Sequence, residues 1–199
     1  AQGRIVTKND YETYCYMMPA KFGSVKRANV VADPSFTDNV VNVFVMSENA
    51  NGQLINTNST TKNNLKVWLN KNRPLTDRIR IDDAKILNIG FEYEMTVQNN
   101  YDKMSVLNSV SRLLKKELSE KLYIGEHFDI SSVYRLINKT EGVVDVKNVR
   151  MKLAFGENYN TLNLSIKEML SRDGTKLIPP QNVILEIKDM NRDVKGYVQ

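Results

Sequence analysis

The stretch LNIGFEYEMTV, residues 87–97, decides how this chain is read. Its odd positions are Leu87, Ile89, Phe91, Tyr93, Met95 and Val97; its even positions are Asn88, Gly90, Glu92, Glu94 and Thr96. Successive side chains of a strand point to opposite faces, so period-two alternation over this length describes a strand with one buried and one wet face. The residues before it, RIRIDDAKI (78–86), alternate too, but their apolar parity changes across Asp82-Asp83. A bulge or turn there re-aims the side chains.

Further strands lie on either side. NVVNVFVMS (39–47) is rich in β-branched residues and leads into a polar loop with a tight turn at Asn51-Gly52. VVDVKNVRMKLAF (143–155) reads as a strand with a parity change near Lys147-Asn148. Helical segments separate them. VTKNDYETYCYMM (6–18) is a short helix that Thr7 or Asn9 caps and Pro19 stops, with Gly23 opening the turn into SVKRANVVAD (24–33). STTKNNLKVWLNKNRP (59–74) starts near Ser59 to Thr61 and places Leu65, Trp68 and Leu69 on one face, which makes Trp68 a core anchor rather than a base-stacking residue. YDKMSVLNSVSRLLKKELSEKLY (101–123) is the longest helix, capped by Asp102, with Leu107, Val110, Leu114 and Leu118 as its core stripe. DISSVYRLINKTEG (129–142) is a shorter helix ending at Gly142.

The order helix, strand, strand, helix, strand, helix, helix, strand indicates an α+β fold, with mixed sheets carrying helices on one face, rather than a doubly wound parallel sheet. Residues 1–155 form this region, as one body or two small subdomains. The tail from about Gly156 differs: YNTLNLSIKEML (159–170) and NVILEIKDM (182–190) carry short alternating patterns split by SRDGTKLIPPQ. Residues 156–199 therefore read as a C-terminal β-rich arm or extra strands.

Composition narrows the function classes. The 199 residues are 41% hydrophobic and 26% charged, ordinary for a folded protein with a real core. No apolar run approaches the roughly 20 residues of a membrane span. AQGRIVTKNDYETY lacks the apolar centre of a signal peptide, and it begins with Ala rather than Met, as a piece of a longer chain would. A single cysteine, Cys15, excludes an internal disulfide framework and fits a reducing compartment. The three N-x-S/T matches, at Asn58, Asn138 and Asn163, are read as chance. The net charge is +5, but the basic residues do not cluster: in RLLKKELSEK (112–121) carboxylates interleave with them, as on a solvated helix face. A basic nucleic-acid-binding module is the alternative that this charge raises.

Chemistry has one focus, IGEHFDISSVYRLI (124–137), where the only histidine, His127, stands between Glu126 and Asp129. Gly125 reads as the stop of the long helix and Asp129 or Ser131 as the cap of the next, which explains the motif as a connector. A base also needs a nucleophile or substrate in reach. Cys15 lies within a helix, without the helix-start setting that lowers a thiol pKa. Asp82 and Asp83 point to opposite faces of their strand. No zinc-type, nucleophile-elbow, Walker or dinucleotide motif is present. The expectation is no catalytic residue, no metal, no cofactor, and no enzyme.

Taken together, RIVTKNDYETY, FGSVKRANVV, VNVFV, LKVWLNKNRPLTDRIRIDDAKILNIGFEYEMTV and IGEHFDISSVYRLINKTEGVVDVKNV resemble, in that order, the C-terminal half of the baseplate J-like family of contractile phage tails. Within that family the likeness is to the large wedge proteins forming the inner ring of T4-type baseplates. It runs from about Arg4 to Val149, and its most specific pieces are R-x-V-T-x-x-D-Y, L-x-x-W/Y-L-x-x-x-R-x-L-T-D and the GV-x-x-V strand. The resemblance implies a structural wedge subunit of the virion's tail baseplate, assembled in the host cytoplasm. It implies pairing with itself as a homodimer or ring and contacts with other wedge and hub proteins, with no small-molecule substrate, membrane or nucleic acid. The tail departs from shorter family members, and as an arm it would offer Leu162, Leu164, Ile166, Val183, Leu185 and Ile187 to a partner's sheet edge. The same residues could instead pack on the chain's own sheet.

Overall fold

A computed structural model describes residues 4–32 and 39–199; the end of SVKRANVVAD, at Asp33, lies outside the described residues. The chain divides between Lys85 and Ile86. The first unit is the chain up to Lys85 with Tyr123–Gly125 and Pro180–Val183; the second is Ile86–Leu122, Glu126–Pro179 and Ile184–Gln199.

The first unit opens with α1 (Lys8–Met17), whose start is fixed by a reciprocal capping box: Asp10 N–H donates to Thr7 Oγ1 at 3.2 Å, and Thr7 N–H donates to Asp10 Oδ2 at 2.8 Å. A 3-10 turn (Ala20–Phe22) leads to β1 (Arg27–Ala32), β2 (Val40–Glu48) and β3 (Leu54–Ile55). Then come α2 (Ser59–Asn70) and β4 (Arg78–Asp83). β2 is the central strand: β1 and β3 pair with it antiparallel and β4 pairs parallel. The β2–β3 hairpin turns at Gly52, whose φ of +74° is left-handed backbone that glycine adopts without strain. Asn58, read above only as part of a chance glycosylation match, is the N-cap of α2 and accepts from Thr61 N–H at 2.7 Å. Val41, Val43 and Val45 of β2 pack with Leu65, Leu69 and Ile79 in one core, Trp68 lies partly buried against it, and its indole N–H donates to the Tyr14 carbonyl at 2.8 Å. Cys15 is 1% exposed in the same core, and burial, with help from the nearby Glu12 charge, pushes its thiol pKa up to about 12.

Two later segments complete this unit. Asn29 of β1 donates to the Gln181 carbonyl at 2.7 Å, and Gly125 N–H donates to the Val183 carbonyl at 2.8 Å.

The second unit is built on β5 (Lys85–Val97), the strand expected from the alternation. Along the chain follow α3 (Lys103–Glu117), β6 (Phe128–Asp129), α4 (Ile130–Asn138), β7 (Val143–Leu153), α5 (Ile166–Met169), β8 (Lys176–Leu177), β9 (Val183–Glu186), α6 (Met190–Asp193) and β10 (Val194–Val198). β7 pairs with β5 antiparallel, β10 pairs with it parallel, and β9 also pairs with it; β6 and β8 form a separate two-stranded ribbon. The parity change in β7 is a register irregularity: Glu94 faces Asn148 while Met95 faces Val146, leaving Lys147 bulged out. All six odd positions of β5 are buried, and Phe91 stacks obliquely on Phe128 with centroids 6.1 Å apart.

Three expectations need correction. The even face of β5 is not wet throughout: Asn88 is fully buried, and Gly90 is covered by the Asp193 carbonyl, which stands where a side chain would be. The stripe of α3 is Val106, Val110 and Leu114, with Leu107 and Leu118 only half-buried, because i, i+4, i+8 spacing from Val106 faces the sheet. α3 also ends at Glu117, with Leu118 as its C-cap, so Gly125 is not its stop; Gly125 takes a left-handed turn (φ +76°) beside Asn29 and Gln181. Residues 156–199 supply α5, β8, β9, α6 and β10, with Pro180–Val183 clustering with the first unit and the rest with the second.

Adding a methyl at Gly90 must displace backbone, so Gly90→Ala is expected to cost about 1–3 kcal/mol, read as a lower urea midpoint with an unchanged slope; an unchanged midpoint would show that β5 tolerates a side chain there. The Cys15 thiol is expected to stay inert to a thiol reagent at pH 8 in the native chain and to react at once in denaturant. Fast native labelling would contradict its place in the core.

Candidate assembly surfaces

The motif around His127 is a connector in geometry. His127 is exposed, the next residue, Phe128, is buried and begins β6, and Asp129 caps α4. Asp129 accepts from the hydroxyl of Ser131 at 2.5 Å, from the hydroxyl of Ser132 at 2.7 Å and from Ser132 N–H at 3.3 Å. The Ser131 and Ser132 bonds, in that order, hold its carboxyl below the usual range. Cys15 belongs to the first unit and His127 to the second. Asp83 is occupied by Lys62 at 2.7 Å and by the Thr57 N–H at 3.1 Å, whereas Asp82 is exposed. Among the described residues, no group of three or more His, Cys, Asp or Glu side chains is placed to hold a metal ion.

The six tail residues fall into two groups. Val183 and Leu185 are buried at 2% and 1% exposure, in a strand that pairs with β5. Leu162, Leu164, Ile166 and Ile187 are half-buried and keep some surface open. The loop leading to them is tied down. Asn88 Oδ1 accepts from Asn160 N–H at 2.8 Å, and its amide donates to Glu186 at 3.0 Å. Tyr159 donates to Asp193 at 2.8 Å while the Arg192 guanidinium lies over its ring.

The even face of β5 beyond Gly90 opens into a polar cleft of about 290 Å3 lined by Glu92, Glu94, Asn148, Arg150 and Tyr197 together with Tyr93. Glu92 is its charged centre, accepting from Arg150 and from Lys152 at 3.1 Å. These two bonds, Arg150 first, lower its pKa, so the ion pairs are present above the ordinary glutamate range and are lost as acid protonates the carboxylate. Tyr197 is half exposed beside it. An aromatic ring set among fixed opposite charges resembles the composition of protein interfaces more than that of a ligand pocket.

In the first unit the R-x-L-T-D segment makes a braced loop. The Arg73 guanidinium donates to the carbonyls of Pro74 at 3.0 Å, of Leu75 at 3.5 Å and of Asp77, and Arg73 Nε donates to Asn70 Oδ1 at 2.6 Å. Tyr11 anchors the far end by donating to Asp77 at 2.6 Å. The loop holds Leu75 wholly exposed. A rigid, fully exposed Leu loses little conformational entropy on contact, which suits an interface anchor.

Helix side chains also occupy strand edges. On the outer edge of β1, Tyr16 Oη accepts from Ala28 N–H at 3.0 Å and Glu12 accepts from Val30 N–H at 3.4 Å. On β7, Tyr134 Oη accepts from Val149 N–H at 2.9 Å. Such contacts block a strand edge against other chains. Sequence reasoning missed Tyr16, Tyr134 and Leu75 as surface determinants. Only Leu75 carried a signal, as the apolar residue of a loop between a helix and a strand.

No family model and no curated protein matches the chain. Among solved structures it is similar to a chain in the cryo-EM structure of the anti-feeding prophage (AFP) baseplate, at 11% identity and a TM-score of 0.55 over 95% of its residues. The chain spans 39% of the length of that baseplate protein. At this identity the likeness is one of fold.

Proposed function

We propose that this chain is part of a structural subunit of a contractile-tail or injection-machine baseplate, working as a wedge component that pairs with itself and joins neighbouring wedges around the hub. One observation carries the reading: nearly the whole chain shares its fold with a baseplate protein, the class of protein that its ordered sequence segments resemble. The surfaces agree with it. They offer a braced apolar tip, a charged cleft with a half-exposed tyrosine and strand edges, features that serve broad protein contacts. The partners are then other baseplate wedge and hub proteins, the location is the tail end of the particle, and the chain performs no catalysis.

The test is to place a small epitope at the exposed Gly174 turn in the full-length protein and examine purified particles. Label at the baseplate end of the tail is expected; particles without the chain by mass spectrometry would sink the proposal. His127→Gln is expected to leave particle yield unchanged, and a loss of yield with normal folding would revive a chemical role for the histidine. Binding of duplex DNA that falls steeply with salt would favour the nucleic-acid alternative instead.

A further inference from the structure

The sheet of the first unit treats its two edges differently. The β1 edge is occupied by Tyr16 and Glu12. The opposite edge is β4, RIRIDD, and its bonding direction is set by its ladder to β2: Arg78 N–H donates to the Asn39 carbonyl at 2.8 Å and Ala84 N–H to the Val45 carbonyl at 2.9 Å. Even-numbered residues of β4 thus bond inward. The N–H and C=O groups of Ile79, Ile81 and Asp83 turn outward, and among the described residues nothing bonds to them. Among the described residues no proline, bulge or helix side chain covers these groups; the edge is guarded by the charges of Arg78, Arg80, Asp82 and Asp83, which admit a partner only where its charges complement them.

An outward edge of this kind selects the register of any antiparallel partner, because outward residues must meet outward residues in hydrogen-bonded pairs. For two copies of β4 about a twofold axis, three registers meet this condition with substantial overlap. In the central one Ile81 meets Ile81, Ile79 meets Asp83, and the non-hydrogen-bonded pairs set Arg80 opposite the partner's Asp82, twice. A shift of two residues one way sets Arg80 against Arg80, although Arg78 then meets the partner's Asp82 twice; the other way sets Asp82 against Asp82. Directly opposed like charges are unfavourable and opposite ones favourable, so the central register is singled out. Arg80 and Asp82 are both exposed, and neither makes an ion pair among the described residues.

We propose that the β4 edge is a self-complementary docking edge whose occupant is a second copy of this chain, joined through antiparallel β4–β4 pairing into a continuous sheet with isologous contacts. The order of charges along the strand, basic first and acidic last, is what fits an antiparallel copy of itself. This deepens the baseplate reading: it rests on the self-pairing proposed there and names the surface that performs it.

The test is a charge swap at two exposed positions that do not enter the core. Sedimentation velocity of the 199-residue chain across the micromolar range is expected to show a dimer. Asp82→Arg opposes like charges in all three registers and is expected to weaken dimerisation about tenfold or more. Arg80→Asp opposes them twice in the central register but can shift to pair Arg78 with Asp82, so it is expected to weaken dimerisation less. The double variant R80D/D82R restores opposite charges in reversed order and is expected to return dimerisation towards the starting level. Circular dichroism and melting temperature should be the same for all four chains. A wild-type chain that remains monomeric, or single swaps that leave the dimer unchanged, overturns the proposal. Epitope label at the baseplate with no β4-dependent dimer would retain the functional reading while removing this interface.

Discussion

The burial of one face of β5 is the constraint on which the second unit depends. Six consecutive odd-numbered side chains, Leu87 to Val97, are removed from water, and among the described residues no other strand buries so long a row. Hydrophobic transfer at about 25 cal/mol per Å2 makes the burial of such a row strongly stabilising. Everything else in the unit follows the geometry it imposes. β7 must bulge at Lys147 to keep Val146 and Val149 on the same side as Met95 and Tyr93. Gly196 must lack a side chain because Tyr93 and Leu107 fill the space beside it. Gly90 serves the opposite face in the same way, letting the backbone at Asp193 cross close enough for β10 to join the sheet.

The first unit shows a different economy, in which polar side chains decide where the sheet stops. Tyr16 and Glu12 are on the outer surface of α1 at i, i+4 spacing, a position that in sequence suggests only a solvated helix face. Their acceptor oxygens instead meet backbone donors of β1. The braced loop at Arg73 works similarly: a guanidinium with several donors gathers carbonyls that a loop would otherwise leave to water. These polar contacts shape the surface, while the valines of β2 and the leucines of α2 supply the core.

Much of this was legible in the residues because local periodicity and capping act over a few positions. The alternation in β5, the Thr7, Asp102 and Asp129 caps, the Gly52 turn and the irregularity near Lys147 all stand where spacing places them. What was illegible depends on distant partners. Nothing near Asn88 announces that its amide will meet Glu186, so the even face of β5 reads as wet when half of it is covered. The same distance effect left the C-terminal residues open between an arm and extra strands: Val183 and Leu185 have a strand's pattern, but only the fold shows that β5 is the strand they join. The surface features were hardest to foresee, since an exposed Leu75 and a buried leucine look alike until their surroundings exist.

The clasp of Asn29 by Gln181 joins residues 152 positions apart. During synthesis the strands and helices before Lys85 emerge first, yet their sheet lacks these partners until Gln181 has also left the ribosome. A ribosome-bound nascent chain halted before Pro180 would hold β1 with one polar face lacking its final partners. Closing so long a loop is slow relative to local helix formation, which makes the docking of Pro180–Val183 the last step in completing this unit. The first unit therefore reaches its finished form only after most of the second has been made.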